Sequence, residues 1–101
     1  MVVIAKGVSG KSWLADVSPD KVFWCFDGRV VKNLEELATA LKGMPEKTYQ
    51  HHVNRDKNDF SNWVRDVIGD VTLANQLRKA ASNTTAARKV DMRLSWLRAK
   101  L

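Results

Sequence analysis

Residues 58–70 read Asn58-Asp59-Phe60-Ser61-Asn62-Trp63-Val64-Arg65-Asp66-Val67-Ile68-Gly69-Asp70. The apolar residues of this stretch recur at the spacing of one helical face, and they are Phe60, Trp63, Val64, Val67 and Ile68. Asn58 or Asp59 can accept hydrogen bonds from the free amides of a first turn. Gly69 can adopt the left-handed conformation that ends a helix. The stretch therefore predicts one complete helix, with Asp70 placed to cap the next.

A hairpin is predicted upstream of this helix. Residues 22–26 are five consecutive apolar residues, and Asp27-Gly28 separates them from Arg29-Val30-Val31. Asp-Gly favours a two-residue turn in which both residues have positive φ. Both faces of the first strand are apolar, so we expect it to be covered on two sides, with Cys25 buried and unreactive.

Two further segments have strand-like patterns. Residues 2–5 form a short apolar run. In residues 48–53, Tyr49, His51 and Val53 alternate with polar residues, which is typical of a strand. We therefore predict a small, mostly antiparallel sheet of about three strands.

Four helices are predicted, at residues 34–42, 59–68, 71–81 and 85–100. The first has an N-cap at Asn33 with Glu36 three residues later, and it ends near Gly43. The predicted fold is a single α+β domain over residues 1–101, with irregular residues 1–20, sheet and helix in residues 22–57, and a helical C-terminal half in residues 58–101. The predicted core consists of Trp24, Phe26, Leu37, Leu41, Val53, Phe60, Trp63, Val64 and Val67.

The cysteine content and the short apolar runs of the sequence bear on the sites the protein can form and on the compartment in which it resides. Cys25 is the only cysteine, which excludes an intramolecular disulfide and a zinc site made of several thiolates. The first five residues are too short an apolar run for a signal peptide, and no run is long enough to span a membrane. We expect a cytoplasmic protein without membrane contact.

Two patterns suggest chemistry but lack the necessary context. Residues 5–12, with Lys11 and Ser12, match the loose form of a phosphate-binding loop, yet Pro19 leaves too little helix after it. His51 and His52 point to opposite sides of a strand, so they cannot readily share a metal. An acid-base site would require them to converge with Asp56 and Asp59 in a pocket. We predict no catalytic residue, no metal site and no cofactor.

The net charge of +6 is concentrated at one end of the chain. Residues 1–75 contain ten Lys and Arg against ten Asp and Glu, whereas residues 76–101 contain seven against Asp91 alone. These seven cations are Arg78, Lys79, Arg88, Lys89, Arg93, Arg98 and Lys100. Several cations on one surface favour a polyanionic partner through counterion release. The leading hypothesis is a non-enzymatic binding module whose basic C-terminal helices contact DNA or RNA.

The same end of the chain carries two other patterns. Asn75, Gln76 and Arg78 give the helix over residues 71–81 the side chains of a recognition helix that reads base edges, although a merely polar outer face has the same pattern. Apolar residues at heptad-like spacing form a seam in the last helix. The alternative hypothesis is a protein-interaction or self-association domain that uses Leu94, Trp96, Leu97 and Leu101.

Several short motifs occur in a fixed order along the chain. They are D-G-R-V at residues 27–30, L-x-E-L at 34–37, H-V-N at 52–54, N-D-F-x-N-W at 58–63 and L-A at 73–74. In this order they resemble a small uncharacterised prokaryotic domain family over residues 22–79. The resemblance implies a folding signature, because its motif residues coincide with predicted turns, caps and core, and it implies no catalytic or binding residue.

Overall fold

The computed structural model describes residues 13–101, in which helices predominate. A 3-10 turn at Pro19–Lys21 leads into an antiparallel hairpin with β1 at Phe23–Trp24 and β2 at Val30–Val31. The helices are α1 (Leu34–Gly43), α2 (Glu46–His52), α3 (Asp59–Trp63, continued by a π-helical turn at Val64–Ile68), α4 (Val71–Arg78) and α5 (Asn83–Ala99). The α+β class is confirmed, but the sheet has two strands within residues 13–101, not three. The strand-like run at residues 2–5 and the loop at 5–12 lie outside the described residues.

The helix of residues 58–70 forms with the predicted caps. The Asn58 side chain accepts a hydrogen bond from the Ser61 N–H at 3.0 Å, and the chain turns at Gly69 with φ 95°. The Gly69 N–H donates to the Val64 carbonyl at 2.8 Å, which closes the π-helical turn. Asp70 then caps α4 by accepting from the Leu73 N–H at 3.1 Å.

The hairpin differs from the prediction in its turn and its buried face. Cys25 pairs with Arg29, and within the turn only Gly28 has a positive φ, of 96°. The turn therefore has three residues and needs one left-handed glycine, where we predicted two residues. Trp24 and Phe26 are 69% and 59% exposed, so their placement in the core was wrong.

The opposite face of β1 supplies the core. The Phe23 ring stacks on Phe60 at 4.9 Å between centroids and meets Trp63 edge-on at 5.9 Å. Cys25 is buried as predicted, and burial, with a further contribution from the Asp27 charge, raises the pKa of its thiol to about 11. A thiol that stays protonated at neutral pH is a poor nucleophile.

The third predicted strand is a helix. Pro45 is the N-cap of α2, and the buried residues Thr48, Tyr49 and His52 lie at helical spacing. The alternation of Tyr49, His51 and Val53 was misleading because Tyr49 and His52 are three residues apart and share one helical face. What remains of strand pairing is an isolated bridge between Val53 and Asn58.

The core lies mainly between α1, α3, α4 and α5, and the contact of α1 with α5 is the most extensive. Of the other predicted core residues, Leu37, Leu41, Phe60, Trp63 and Val64 are buried, while Val53 and Val67 are partly buried against the core. The Asn83 side chain donates to the Leu41 carbonyl at 2.9 Å, which ties the start of α5 to the end of α1. No helix within residues 13–101 is long and apolar enough to cross a membrane.

His52 joins the hairpin to the helices. Its Nε2 accepts a hydrogen bond from the Phe26 N–H at 2.9 Å, and its Nδ1 lies 3.0 Å from Asp59 Oδ2. Lys57 Nζ donates to the same Asp59 oxygen at 3.0 Å. The imidazole therefore has a partner on each nitrogen, and Nδ1 is the atom placed to donate to the carboxylate.

Replacing Asp59 with Asn should remove an acid-sensitive part of the stability. Burial tends to raise the pKa of the Asp59 carboxyl, but hydrogen bonds from His52 and Lys57 hold that pKa below its usual range. Because the folded pKa is the lower one, the contribution is present above the unfolded pKa of about 3.9 and is lost as pH falls through the folded pKa. Urea unfolding from neutral pH downward should show the wild type losing its advantage over Asp59→Asn below about pH 4. A constant difference at every pH would contradict this.

Candidate nucleic-acid interface

Helix α5 has one buried face and two flanks with different neighbours. The buried residues are Ala86, Ala87, Val90, Leu94 and Leu97. On the flank toward α1, Lys42 pairs with Asp91 at 2.8 Å, and Arg98 lies 3.7 Å from Glu35. The opposite flank faces α4, and there Arg93 approaches the buried N-cap of that helix. Each flank of α5 therefore forms at least one ion pair with its neighbouring helix or that helix's N-cap, and the pair on the α4 side is the buried one.

Arg93 is held in place by a buried carboxylate. Its Nε and Nη2 donate to Asp70 at 2.7 and 3.0 Å, and the side chains of Arg93 and Asp70 are 12% and 0% exposed. The guanidinium also lies over the rings of Trp96, at 4.4 Å, and Trp13, at 5.6 Å. Arg93, which we predicted as a phosphate ligand, is thus a rigid residue that shares its charge with Asp70 and leaves only Nη1 outside the pair.

A groove runs between α4 and α5 beside this ion pair. Its volume is about 200 Å³, and it is lined by Gln76, Lys89, Met92, Arg93 and Trp96; we call it the α4–α5 groove. Met92 and Trp96 are 61% and 48% exposed, which is unusual for such large apolar side chains. The groove therefore combines two cationic groups and an amide with apolar walls.

Three lysines of α4, α5 and their C-terminal ends have no carboxylate partner among the described residues, and one of them, Lys89, lines this groove. Within residues 13–101, no acidic oxygen lies within ion-pair distance of Lys79, Lys89 or Lys100. Lys79 follows Gln76 by three residues and so shares its face of α4. Lys100 Nζ lies 4.8 Å from the Trp96 ring centroid, a contact worth about 0.5–1 kcal/mol at an exposed site. The Lys100 ammonium can therefore leave the Trp96 ring and bind another partner.

The remaining cations of the C-terminal quarter lie elsewhere. Arg88 lines a separate groove with Lys42 and Asp91 on the α1 side. Arg78 lines a polar groove with Arg55 and Lys57 of the loop before α3. The seven predicted cations thus do not form one surface.

The proximity of Arg55 and Lys57 to Arg78 was not predicted from the sequence. Their loop is joined to the end of α4 by a hydrogen bond from Asn58 Nδ2 to the Leu77 carbonyl at 3.1 Å. No run of like charges and no sequence motif links these positions along the chain. Only the fold places them together.

The recognition-like residues of α4 are separated as well. Gln76 faces the α4–α5 groove, whereas Arg78 faces the groove of the preceding loop. Asn75, three residues before Arg78, shares its side of the helix. One helix face therefore does not present all three side chains to a single base-reading surface.

The heptad-like seam of α5 is occupied by the protein's own core. Leu94 and Leu97 are 3% and 1% exposed, so neither is available to a partner in this fold. Trp96 lies off the seam on the groove side, and Leu101 is 65% exposed beyond the end of α5. The partner surface that we predicted is reduced to these two residues.

Three of the four candidate catalytic side chains are neighbours, and the ring centroids of His51 and His52 lie 5.1 Å apart. His52 contacts Asp59, His51 is exposed and stacks on Phe26 at 3.9 Å, and Asp56 lies in the loop groove with Arg78. Within the described part of the chain, no three His, Cys, Asp or Glu side chains converge as metal ligands.

No protein-family model, no curated protein and no solved structure matches this chain. The family resemblance drawn from its motifs therefore stays a prediction.

Proposed function

We propose that the protein is a non-enzymatic module that binds nucleic acid, chiefly through phosphates, with the face formed by α4 and α5. The observation that supports this proposal most is that Lys89, which lines the α4–α5 groove, and Lys100, which contacts Trp96 in its wall, have no carboxylate partner within residues 13–101. Lys79, at the end of α4, has none in this range either. By contrast, Lys32 and Lys42 each pair with a carboxylate at 2.9 and 2.8 Å. Eight Lys and Arg side chains of residues 13–101 have no such partner, and five of the eight lie in residues 76–101, namely Arg78, Lys79, Arg88, Lys89 and Lys100.

Phosphate contacts of this kind predict a moderate, salt-dependent affinity. Each lysine that neutralises a phosphate releases condensed counterions. Three such contacts give a slope of log affinity against log salt of about −2.7 for a duplex and about −2.1 for a single strand. Affinity from these lysines alone should therefore fall steeply between low and physiological salt.

Replacing Lys89 and Lys100 with Gln should weaken binding and flatten its salt dependence. Removing two contacts should make the slope less negative by about 1.4–1.8. Fluorescence anisotropy with labelled DNA and RNA over a salt series measures both effects. The matched control is Lys21→Gln with Lys47→Gln, which gives the same net charge of +4 from two exposed lysines outside this face. Equal losses in both double variants would contradict the proposed face, and no binding at low salt would contradict the function.

A second candidate function is protein interaction, favoured by one specific observation. Trp24, Phe26 and Val30 are 69%, 59% and 43% exposed, so the hairpin presents large apolar side chains to solvent. Aromatic residues of this kind are enriched at protein interfaces. Together with Trp96 and Leu101 they provide apolar surface for a protein partner or a second copy. Light scattering over a concentration series tests the second copy directly, since a strict monomer speaks against self-association.

A further inference from the structure

The α4–α5 groove has the dimensions of a site for one small group. Its volume of about 200 Å³ is below the roughly 300–1,000 Å³ of typical small-molecule pockets. Two helices form its walls, and the ion pair of Asp70 with Arg93 lies beside it. The groove is therefore too small for a large metabolite, but it offers a recess in which one unit of a polymer can lie.

The chemistry of the groove matches the two parts of a nucleotide. Lys89 and the fixed guanidinium of Arg93 are suited to a phosphate, because charge-assisted hydrogen bonds to an anion are short and strong. Met92 and Trp96 offer apolar surface to a base, and aromatic side chains stack on every base without regard to sequence. The Gln76 amide has both a donor and an acceptor for a base edge.

The arrangement around Trp96 favours exchange of one stacking partner. Arg93, three residues earlier, is held over the ring by Asp70, whereas Lys100, four residues later, makes only a weak exposed contact with it. An incoming base can replace the Lys100 ammonium on the ring, and the released ammonium can then pair with the neighbouring phosphate.

We infer that the α4–α5 groove binds a single unstacked nucleotide of a single-stranded nucleic acid. The phosphate lies on Lys89 and Arg93, the base lies against Met92 and Trp96, and Gln76 contacts the base edge. This inference rests on the proposed function and makes it more specific. Bases in a duplex stay stacked and paired, so a duplex can use only the lysines around the groove.

The test compares single-stranded and duplex probes on the full chain. The single-stranded probes are labelled oligothymidylate and oligouridylate of about twenty nucleotides, a length that exceeds most single-strand site sizes. The duplex probe has the same length. We expect Trp96→Leu to weaken single-strand binding about tenfold, within the range seen when one base loses an aromatic partner, and to change duplex binding less than about twofold. Gln76→Ala should reduce single-strand binding by about two- to fivefold.

Trp24→Leu is the matched control, because Trp24 is even more exposed but lies on the hairpin. It should bind both probes as the wild type does. Thermal melting of Trp96→Leu must show a folded protein, and the indole N–H signal of Trp96 in the wild type should shift on adding oligothymidylate. Equal losses on both probes, or an unmoved Trp96 signal at saturation, would overturn the inference while the proposed function stands. No binding of either probe would instead refute the proposed function.

Discussion

Replacing Asp70 with alanine is expected to lower the free energy of unfolding by about 3–5 kcal/mol, the range for removing one partner of a buried ion pair. The Asp70 side chain is fully buried, it makes two hydrogen bonds with Arg93, and it caps α4 through the Leu73 N–H. Its removal leaves the Arg93 guanidinium without its counterion and one helix end uncapped. Because the total stability of a small domain is about 5–15 kcal/mol, much of the fold depends on this carboxylate.

Urea unfolding at neutral pH measures the effect of Asp70→Ala. Asp66→Ala is the matched control, since Asp66 pairs with Arg65 on the exposed surface, where such pairs are worth about 0–1 kcal/mol. The combination of Asp70→Asn with Arg93→Met should be more stable than Asp70→Ala, because it leaves no unpaired buried charge and keeps a capping side chain. Similar losses of unfolding free energy in Asp66→Ala and Asp70→Ala would contradict a larger contribution from the buried pair.

Replacing Phe60 with alanine is expected to cost about 3–5 kcal/mol, as large-to-small changes of buried aromatic residues do. Phe60 is 1% exposed, and its ring stacks with Phe23 at 4.9 Å and with Tyr49 at 5.7 Å. It joins the hairpin, α2 and α3 at one point. The cavity left by its removal therefore loosens three elements together.

Phe26→Ala provides the comparison for Phe60. Phe26 is 59% exposed, although it stacks on His51 at 3.9 Å. Its replacement should cost less than about 1 kcal/mol, because most of the ring is already in water. Thermal melting of both variants shows the contrast, and a larger shift for Phe26 would mean that the hairpin, not α3, organises the core.

Much of the helical architecture could be predicted from local chemistry. Asn33, Asn58 and Asp70 are N-caps in the structure, as predicted from the sequence. Gly69 ends the central helix with a positive φ. These signals act within four residues along the chain, so no knowledge of the tertiary fold is needed to recognise them. The end of α4 at Arg78 and the start of α5 at Asn83 differ from the prediction by about two or three residues.

The errors arose where two patterns fit the same residues. The first strand is apolar on both faces, so its period could not decide whether Trp24 or Phe23 packs inward. The segment with Tyr49 and His52 satisfies strand alternation and helical spacing alike, and the cap at Pro45 favours the helix. The candidate site was harder still to predict from the sequence, because the pairing of Arg93 with Asp70 joins residues that are 23 positions apart.

The close packing of α1 against α5 has a consequence for synthesis of the chain. Leu37 and Leu41 are fully buried, but the helix that covers them ends at Ala99, far behind α1 in the order of translation. At about 5–20 residues per second, roughly 3–11 s pass between completion of α1 and completion of α5. During that interval the apolar face of α1 has no permanent cover in the nascent chain. The native core between α1 and α5 can therefore form only after α5 has been synthesised and has emerged.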